Sequence, residues 1–191
     1  DPAAYWVSEK LDGVRAWWDG QTLFFRSGRP IAAPAWFLAG LPQRAVDGEL
    51  WLGRGRFDAL SAIVRRQQPV DAEWRQVRYL LFELPGAPGT FSERLVQLQS
   101  LAAVGDHPGW EVLEQFRVAD RGALQQRLAA ILAAGGEGLM LHRADAPYRS
   151  GRDPALLKVK AWLDGEARVI GHEPGRGRHA GRLGALRVET A

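Results

Sequence analysis

The sequence predicts an α+β protein whose sheets are largely antiparallel. Segments with strand character and segments with helix character follow one another without the regular strand–helix–strand alternation that builds a parallel sheet. The pair Asp19-Gly20 separates two strand-like segments, which is typical of a tight hairpin turn. The apolar run VRYLLFEL at 77–84 is rich in β-forming residues and indicates a buried strand.

The remaining elements follow from local signals along the chain. Strands are predicted at 5–9, 14–18, 22–25, 45–52, 77–84, 138–142, 155–162 and 166–172. Helices are predicted at 34–40, 58–67 and 92–103 and from residue 120 to the glycine pair at 135–136. The first of them has proline near its start. Ser92 and Asp120 are residue types that cap helices, so each is expected at the start of its helix.

Composition describes an ordinary globular protein, long enough for one domain or for one domain and part of another. Of the 191 residues, 46% are hydrophobic and 25% charged, which excludes a disordered or fibrous chain. No segment approaches the ~20 apolar residues that span a membrane. The chain has no cysteine, which excludes a disulfide framework, a zinc–thiolate site and a cysteine nucleophile.

The three lysines stand out because the other 22 of the 25 basic residues are arginine. Lys10 lies in the segment KLDGVR, where Gly13 allows a tight loop between two predicted strands. A lysine becomes nucleophilic only when its ammonium loses a proton, and burial or nearby cations favour that loss. For Lys10 taken alone, a surface position on a hairpin is the alternative.

The other two lysines, Lys158 and Lys160, lie two residues apart on a predicted strand and therefore share one face. Neighbouring ammonium groups repel each other unless an anion lies between them, and a polyphosphate is such an anion. The alternative is an exposed edge strand whose lysines discourage aggregation.

Acidic residues occur in or at the ends of three predicted strands. Asp47 and Glu49 belong to the segment DGE, Glu83 ends the VRYLLFEL run, and Glu137 stands in GGEGLML. Buried carboxylates are costly unless they are paired or bind a metal ion, and Mg²⁺ prefers one or two carboxylates together with phosphate oxygens. With the lysines and Arg15, these acids indicate a nucleotide-phosphate site, although each alone could be an ordinary salt-bridge partner.

Taken in order, these motifs resemble those of ATP-dependent DNA ligases and mRNA capping enzymes. They stand as KLDGVR at 10–15, RSG at 26–28, DGE at 47–49, YLLFE at 79–83, EG at 137–138 and KVK at 158–160. The longer phrases around them are most similar to minimal bacterial ATP-dependent DNA ligases of the E type. One departure is Glu83, where many relatives carry Asp.

The resemblance implies the nucleotidyltransferase fold of ligases and capping enzymes, with antiparallel sheets flanked by helices. Residues 1–163 are expected to form an adenylation domain. Residues 164–191, with the phrase GRLGALRVE, are expected to be the first strands of an incomplete OB-fold domain. A chain without the rest of that domain is expected to adenylate itself slowly and still seal a pre-adenylated nick.

The resemblance also implies a role for each motif residue in sealing a nick between a 5′-phosphate and a 3′-hydroxyl. Lys10 would attack the α-phosphate of ATP and carry AMP, Lys158 and Lys160 would grip that phosphate, and Asp12 would act in later steps. The remaining assignments are nucleotide binding by Arg15, Arg26, Glu49, Phe82 and Glu137, a divalent Mg²⁺ or Mn²⁺ at Glu137 and Glu49, and DNA binding by Arg15, Arg26, Arg176, Arg178 and Arg182.

The expected partner is nicked double-stranded DNA, with no membrane association and a monomeric protein. The resemblance to E-type ligases implies a periplasmic location, and a cytoplasmic one is the alternative. Two alternatives stay open from the sequence: an RNA-directed nucleotidyltransferase, such as a capping guanylyltransferase or an RNA ligase, and a non-catalytic nucleic-acid-binding module. For the arginines at 176, 178 and 182, the alternative to DNA binding is a solvated linker.

Overall fold

The computed structural model of this protein describes residues 1–104, 108–161 and 166–190. The chain divides into two units, Asp1–Lys160 and Ala161–Ala191. The predicted domain boundary between residues 163 and 164 lies outside the described residues.

The first unit contains most of the secondary structure. Its elements are β1 (Tyr5–Glu9), β2 (Val14–Trp18), β3 (Leu23–Phe25), α1 (Ala35–Ala39), β4 (Val46–Trp51), α2 (Phe57–Val64), α3 (Asp71–Trp74), β5 (Arg78–Glu83), α4 (Phe91–Ala102), β6 (Trp110–Val112), α5 (Arg121–Ala133), β7 (Gly138–Arg143) and β8 (Leu156–Lys160). Among the helices of the described ranges, none combines the length and the apolar character needed to cross a membrane.

Two sheets organise this unit, and the predicted α+β class with antiparallel sheets is confirmed. The larger sheet has the strand order β3-β2-β4-β5-β6, and the smaller has the order β1-β7-β8. Every pairing in both sheets is antiparallel except the one between β5 and β6.

The second unit contains an antiparallel pair of strands, β9 (Ala167–Pro174) and β10 (Leu183–Thr190), with a short 3₁₀ helix, Gly177–His179, between them. Its register is irregular at two places along β10.

The segment between β1 and β2 crosses from one sheet to the other. A hairpin, the alternative for Lys10, is therefore wrong: the strands on either side of the lysine do not pair with each other. The crossing is tight at Gly13, where an added Cβ would lie 2.4 Å from the Leu50 carbonyl oxygen and 2.6 Å from Cγ of Glu49. Only glycine fits at this point, which explains the glycine in KLDGVR.

Each sheet has its own hydrophobic core. One face of the larger sheet packs against α1, α2 and α3 through large side chains that include Phe37, Leu60 and Trp74. The Tyr79 hydroxyl is buried in this core and donates a hydrogen bond of 2.8 Å to the Ala16 carbonyl. The smaller sheet packs against α5 through a separate cluster around Val7 and Leu139. The opposite face of the larger sheet carries charged and aromatic side chains.

The predicted N-cap at Ser92 is wrong, because the helix begins two residues earlier. Thr90 caps α4: its side chain accepts a hydrogen bond from the Glu93 backbone N–H, and the Glu93 side chain accepts one from the Thr90 backbone N–H. The spacing Thr-x-x-Glu is the signature of this capping box, so the correct cap could be predicted from the sequence. Ser92 instead accepts a 2.9 Å hydrogen bond from the Trp6 indole.

Other differences concern short elements and helix ends. The helix predicted at 58–67 ends at Val64, and α3 and β6, of four and three residues, were not predicted. Elements this short contain less than two periods of any hydrophobic pattern, so periodicity cannot detect them.

A buried ion pair joins β5 to α4 and to the segment after β7. The Arg94 side chain is only 1% exposed, and its Nε and Nη2 donate to the two carboxylate oxygens of Glu83 at 2.7 and 2.8 Å. Its Nη1 donates to the carbonyl oxygens of Gly89 and Ala146 at 2.8 and 3.1 Å. Glu83 is thus occupied by a salt bridge, the alternative stated for it above.

We expect Arg94→Ala to lower the free energy of unfolding by about 3–5 kcal/mol, because it leaves the Glu83 carboxylate buried without its cation. The matched control is Arg66→Ala, which removes an exposed partner of Glu73 and should cost about 1 kcal/mol or less. Urea denaturation followed by circular dichroism measures both. Equal losses in the two variants would contradict this account.

Candidate active site

A cavity of about 270 Å³ in the first unit is lined by residues of both sheets. Six of the predicted site residues line it: Lys10, Arg15, Arg26, Glu49, Phe82 and Lys158. Residues separated by nearly 150 positions in the chain thus meet around one space. The cavity also has an apolar part, to which Leu11, Met140 and Leu156 contribute.

Lys10 lies at the end of β1 beside this cavity and shares a carboxylate with a second lysine. Its Nζ donates to one oxygen of Glu137, and Nζ of Lys160 donates to the other. The Lys10 side chain is 17% exposed. Burial by itself raises the pKa of Glu137, but the hydrogen bonds from the two lysines outweigh it and hold that pKa below its usual value. An ionised carboxylate therefore separates the two ammonium groups.

The backbone around Glu137 places the three groups together. The Lys10 N–H donates to the Gly138 carbonyl at 2.9 Å, and Gly138 pairs with Lys160 across β7 and β8. Gly138 has a φ of +152°, and an added Cβ would lie 2.2 Å from the Val159 carbonyl oxygen. Glycine after Glu137 is therefore required for the close approach that brings Lys160 to the carboxylate.

Arg15 forms a salt bridge with Asp47, which is the alternative stated above for the acids of the motifs. Its Nε and Nη2 donate to the two oxygens of Asp47 at 3.1 and 2.6 Å, and its guanidinium carbon lies 5.6 Å from the centre of the Phe82 ring. The hydrogen bond with Asp47 raises the pKa of Arg15 further. The signal for Asp47 was present: it lies two residues from Glu49 on a strand, so the two side chains share a face.

Glu49 lies opposite Arg15 in the register of β2 and β4. Burial raises the pKa of Glu49 to about 7, although Arg15 and Lys10 act to lower it. Near neutral pH the group is thus close to its midpoint, and it can donate a hydrogen bond as an acid or accept one as a carboxylate.

Aromatic side chains that belong to none of the sequence motifs form another part of the cavity wall. The His142 ring stacks on Phe91 with 3.6 Å between ring centres and 20° between planes, and Tyr148 lies nearby on the cavity lining. Burial lowers the pKa of His142 to about 4, with a contribution from Arg94, so the ring is neutral at physiological pH. No sequence signal connects these residues to the motifs, because they meet only through tertiary packing.

The other site predictions in the first unit have different outcomes. Lys158 lies opposite Met140 in the pairing of β7 with β8 and lines the cavity, as does Arg26 in the turn after β3. Asp12 is exposed in the segment between β1 and β2 and is not part of the cavity lining. The predicted metal ligands Glu49 and Glu137 belong to no group of three or more His, Asp or Glu side chains that could hold a metal ion within the described ranges.

Three of the five arginines assigned to DNA lie in the second unit, whereas Arg15 and Arg26 lie in the first. Arg176, Arg178 and Arg182 are exposed at or beside the 3₁₀ helix between β9 and β10. Nε of Arg178 donates to His179 at 3.0 Å, and the backbone of Arg182 bonds to Gly175 and His179.

Comparison with known proteins gives two close matches. The chain is 37% identical to a DNA ligase of Haemophilus influenzae over 188 residues, which cover 97% of this chain and 69% of that ligase. A solved Lig E DNA ligase is 43% identical, with a TM-score of 0.91 over all of this chain and 75% of the other. No protein-family model matches the chain.

A more distant structure shows how widely the fold is shared. The Chlorella virus DNA ligase–adenylate has a TM-score of 0.71 at 21% identity, covering 97% of this chain and 72% of the viral protein. That likeness concerns the fold alone, whereas the two close matches extend to the sequence. On their strength, this chain belongs to the minimal ATP-dependent DNA ligases and is the catalytic domain of such an enzyme.

Proposed function

We propose that this ligase domain seals 5′-phosphate/3′-hydroxyl nicks in duplex DNA through a covalent lysyl-AMP on Lys10 and an adenylated DNA intermediate. The observation that carries the proposal is the placement of Lys10, which borders the cavity in a cluster with Glu137 and Lys160. The Chlorella virus ligase was solved as its adenylate, which supports AMP as the nucleotide carried here.

In the first step the unprotonated Lys10 amine attacks the α-phosphorus of ATP. A P–N bond forms, the bond to the bridging oxygen breaks, and pyrophosphate leaves with the electron pair. The ammonium proton of Lys10 must leave first, because only the unprotonated amine has the lone pair that attacks phosphorus. Lys158 and Lys160 offset the charge that develops on the phosphoryl oxygens, since phosphoryl transfer depends mainly on positioning and on cations.

Residues of the cavity wall bind the adenine and the ribose of the nucleotide. Phe82 offers a ring face for adenine, and Glu49, with its pKa of about 7, can accept a hydrogen bond from a ribose hydroxyl or donate one. Arg15 and Arg26 contact the nucleotide first and then the 5′-phosphate of the nick. Asp12, which lies outside the cavity, acts in the later steps, in which AMP passes to the 5′-phosphate and the 3′-hydroxyl displaces it.

A divalent Mg²⁺ or Mn²⁺ fits the donor set chemically. Glu137 is held ionised, and hard cations bind one or two carboxylates together with substrate phosphates; Glu49 becomes such a donor only above its raised pKa. When bound, the ion would polarise phosphoryl oxygens and offset their charge.

The second unit extends the proposal to DNA. We propose that its strand pair begins an OB-fold domain and that Arg176, Arg178 and Arg182 bind the phosphate backbone without reading sequence. The exposure of all three side chains supports this role. A monomeric protein and a periplasmic location are proposed on the resemblance to E-type ligases.

We expect Lys10→Arg to abolish covalent labelling of the chain by α-labelled ATP, because arginine keeps the charge beside Glu137 but stays protonated. Labelled protein is measured on denaturing gels with and without acid treatment, because acid cleaves the phosphoramide and should remove the label. GTP tested in parallel separates this proposal from a capping enzyme. Undiminished labelling of the variant would show that a residue other than Lys10 is the nucleophile.

We expect the stability of the wild type to fall between about pH 5 and pH 8 by on the order of 2 kcal/mol more than that of Glu49→Gln. The pKa of Glu49 is about 7 in the folded chain against an ordinary value of 4.5, so folding favours the protonated form. That contribution is complete below the unfolded pKa and is lost as pH rises through the folded one.

Urea denaturation at several pH values measures this dependence, and glutamine serves as the matched neutral isostere. Parallel pH profiles for the two proteins would show that Glu49 titrates normally.

A further inference from the structure

An exposed tryptophan ring and a partly buried phenylalanine ring lie side by side on the hairpin of β2 and β3. Trp17 is 41% exposed, and its ring stacks on Phe24 with 5.2 Å between centres and 27° between planes. We call this pair the aromatic platform. Within the first unit neither ring belongs to a hydrophobic core cluster of the described residues, so packing of the fold does not explain them.

The aromatic platform faces the same way as the site. Along β2, Ala16 and Trp18 are buried in the core, so Arg15 and Trp17 point to the opposite face of the sheet. The register pairs Trp17 with Phe24, and Arg26 stands in the turn that follows β3. The platform therefore adjoins Arg15 and Arg26, which line the cavity.

The charges around the platform suit a polyanion. Arg26 has no ion-pair partner among the described residues, and Arg29 lies over the Phe25 ring at 5.6 Å. Of the nearby acids, Asp47 is buried and paired with Arg15, and the exposed Asp19 accepts hydrogen bonds from the backbone of Gln21 and Thr22. A ligand on this surface thus meets flat apolar rings bordered by a free guanidinium.

We propose that the aromatic platform docks the sugar–phosphate backbone of the nicked duplex, with deoxyribose faces against Trp17 and Phe24 while Arg15 and Arg26 hold phosphates. DNA matches both parts of the surface, because its backbone alternates apolar sugar faces with charged phosphates, and aromatic contacts to nucleic acid are sequence-tolerant. The inference rests on the proposed nick sealing and adds a binding surface to it.

The test uses Trp17→Thr and Phe24→Thr in the full chain, since threonine removes the ring and keeps strand propensity. Affinity for a fluorescent nicked duplex, measured by anisotropy without ATP, should fall about fivefold or more, and Trp17→Phe should restore most of it. Covalent labelling by ATP should stay at the wild-type level, because the platform lies outside the nucleotide cavity. The matched control is Phe57→Ala, an aromatic ring 37% exposed on the helix that covers the other face.

Salt dependence distinguishes the rings from the arginines. The logarithm of the binding constant is plotted against the logarithm of the salt concentration. The line for Trp17→Thr should lie below that of the wild type with the same slope, whereas Arg26→Ala should reduce the magnitude of the slope by about one. A merely structural effect of Trp17 would lower ATP labelling as well as DNA binding.

The outcomes separate the two proposals. Wild-type binding of nicked DNA with equal binding by Trp17→Thr overturns the platform and leaves nick sealing intact. A wild-type chain that labels with ATP but neither binds nor seals nicked DNA overturns the proposed function itself. A variant that changes only the sedimentation of the protein assigns the platform to contacts between copies and overturns its role with DNA.

Discussion

The bidentate contact between Arg94 and Glu83 is the constraint on which the rest of the first unit depends. A guanidinium that is 1% exposed is tolerated only if every donor is satisfied, since an unpaired buried charge costs several kcal/mol. Its partners belong to the large sheet, to the start of α4 and to the segment after β7. The ion pair therefore fixes the spacing between these three elements. Glu83, Phe91 and Tyr148, which surround the pair, line the cavity.

Charge is distributed over the site in a way that leaves it ready for an anion. Glu137 forms ion pairs with two lysines, and Asp47 forms one with Arg15. The pKa of the buried Glu49 is raised to about 7, so this carboxyl group is partly neutral near pH 7. Lys158 and Arg26 add cations that line the cavity without an ion pair among the described residues. A bound polyphosphate would supply the negative charge that these cations lack. The charges of the site therefore suit nucleotidyl transfer.

Local pattern predicted the fold class and most elements, and it failed where local signals compete or are too brief. Strand alternation predicts Val14–Trp18 correctly, whereas the cap predicted at Ser92 is wrong because the capping-box spacing belongs to Thr90. The motifs brought Lys10, Glu49, Glu137 and Lys160 together as candidates. They were silent on Asp47 as the partner of Arg15 and on His142, whose position depends on packing against Phe91.

By itself, the sequence determined the family of enzymes to which this chain belongs, because its lysines, arginines and acids stand in short motifs whose residue types have few substitutes. The tertiary structure alone decided that β1 and β2 enter different sheets, so that Lys10 borders a cavity rather than a hairpin turn. It also decided which acid pairs with which base and which aromatic rings stay exposed. Those choices depend on contacts between residues far apart in the chain, and no local pattern specifies them.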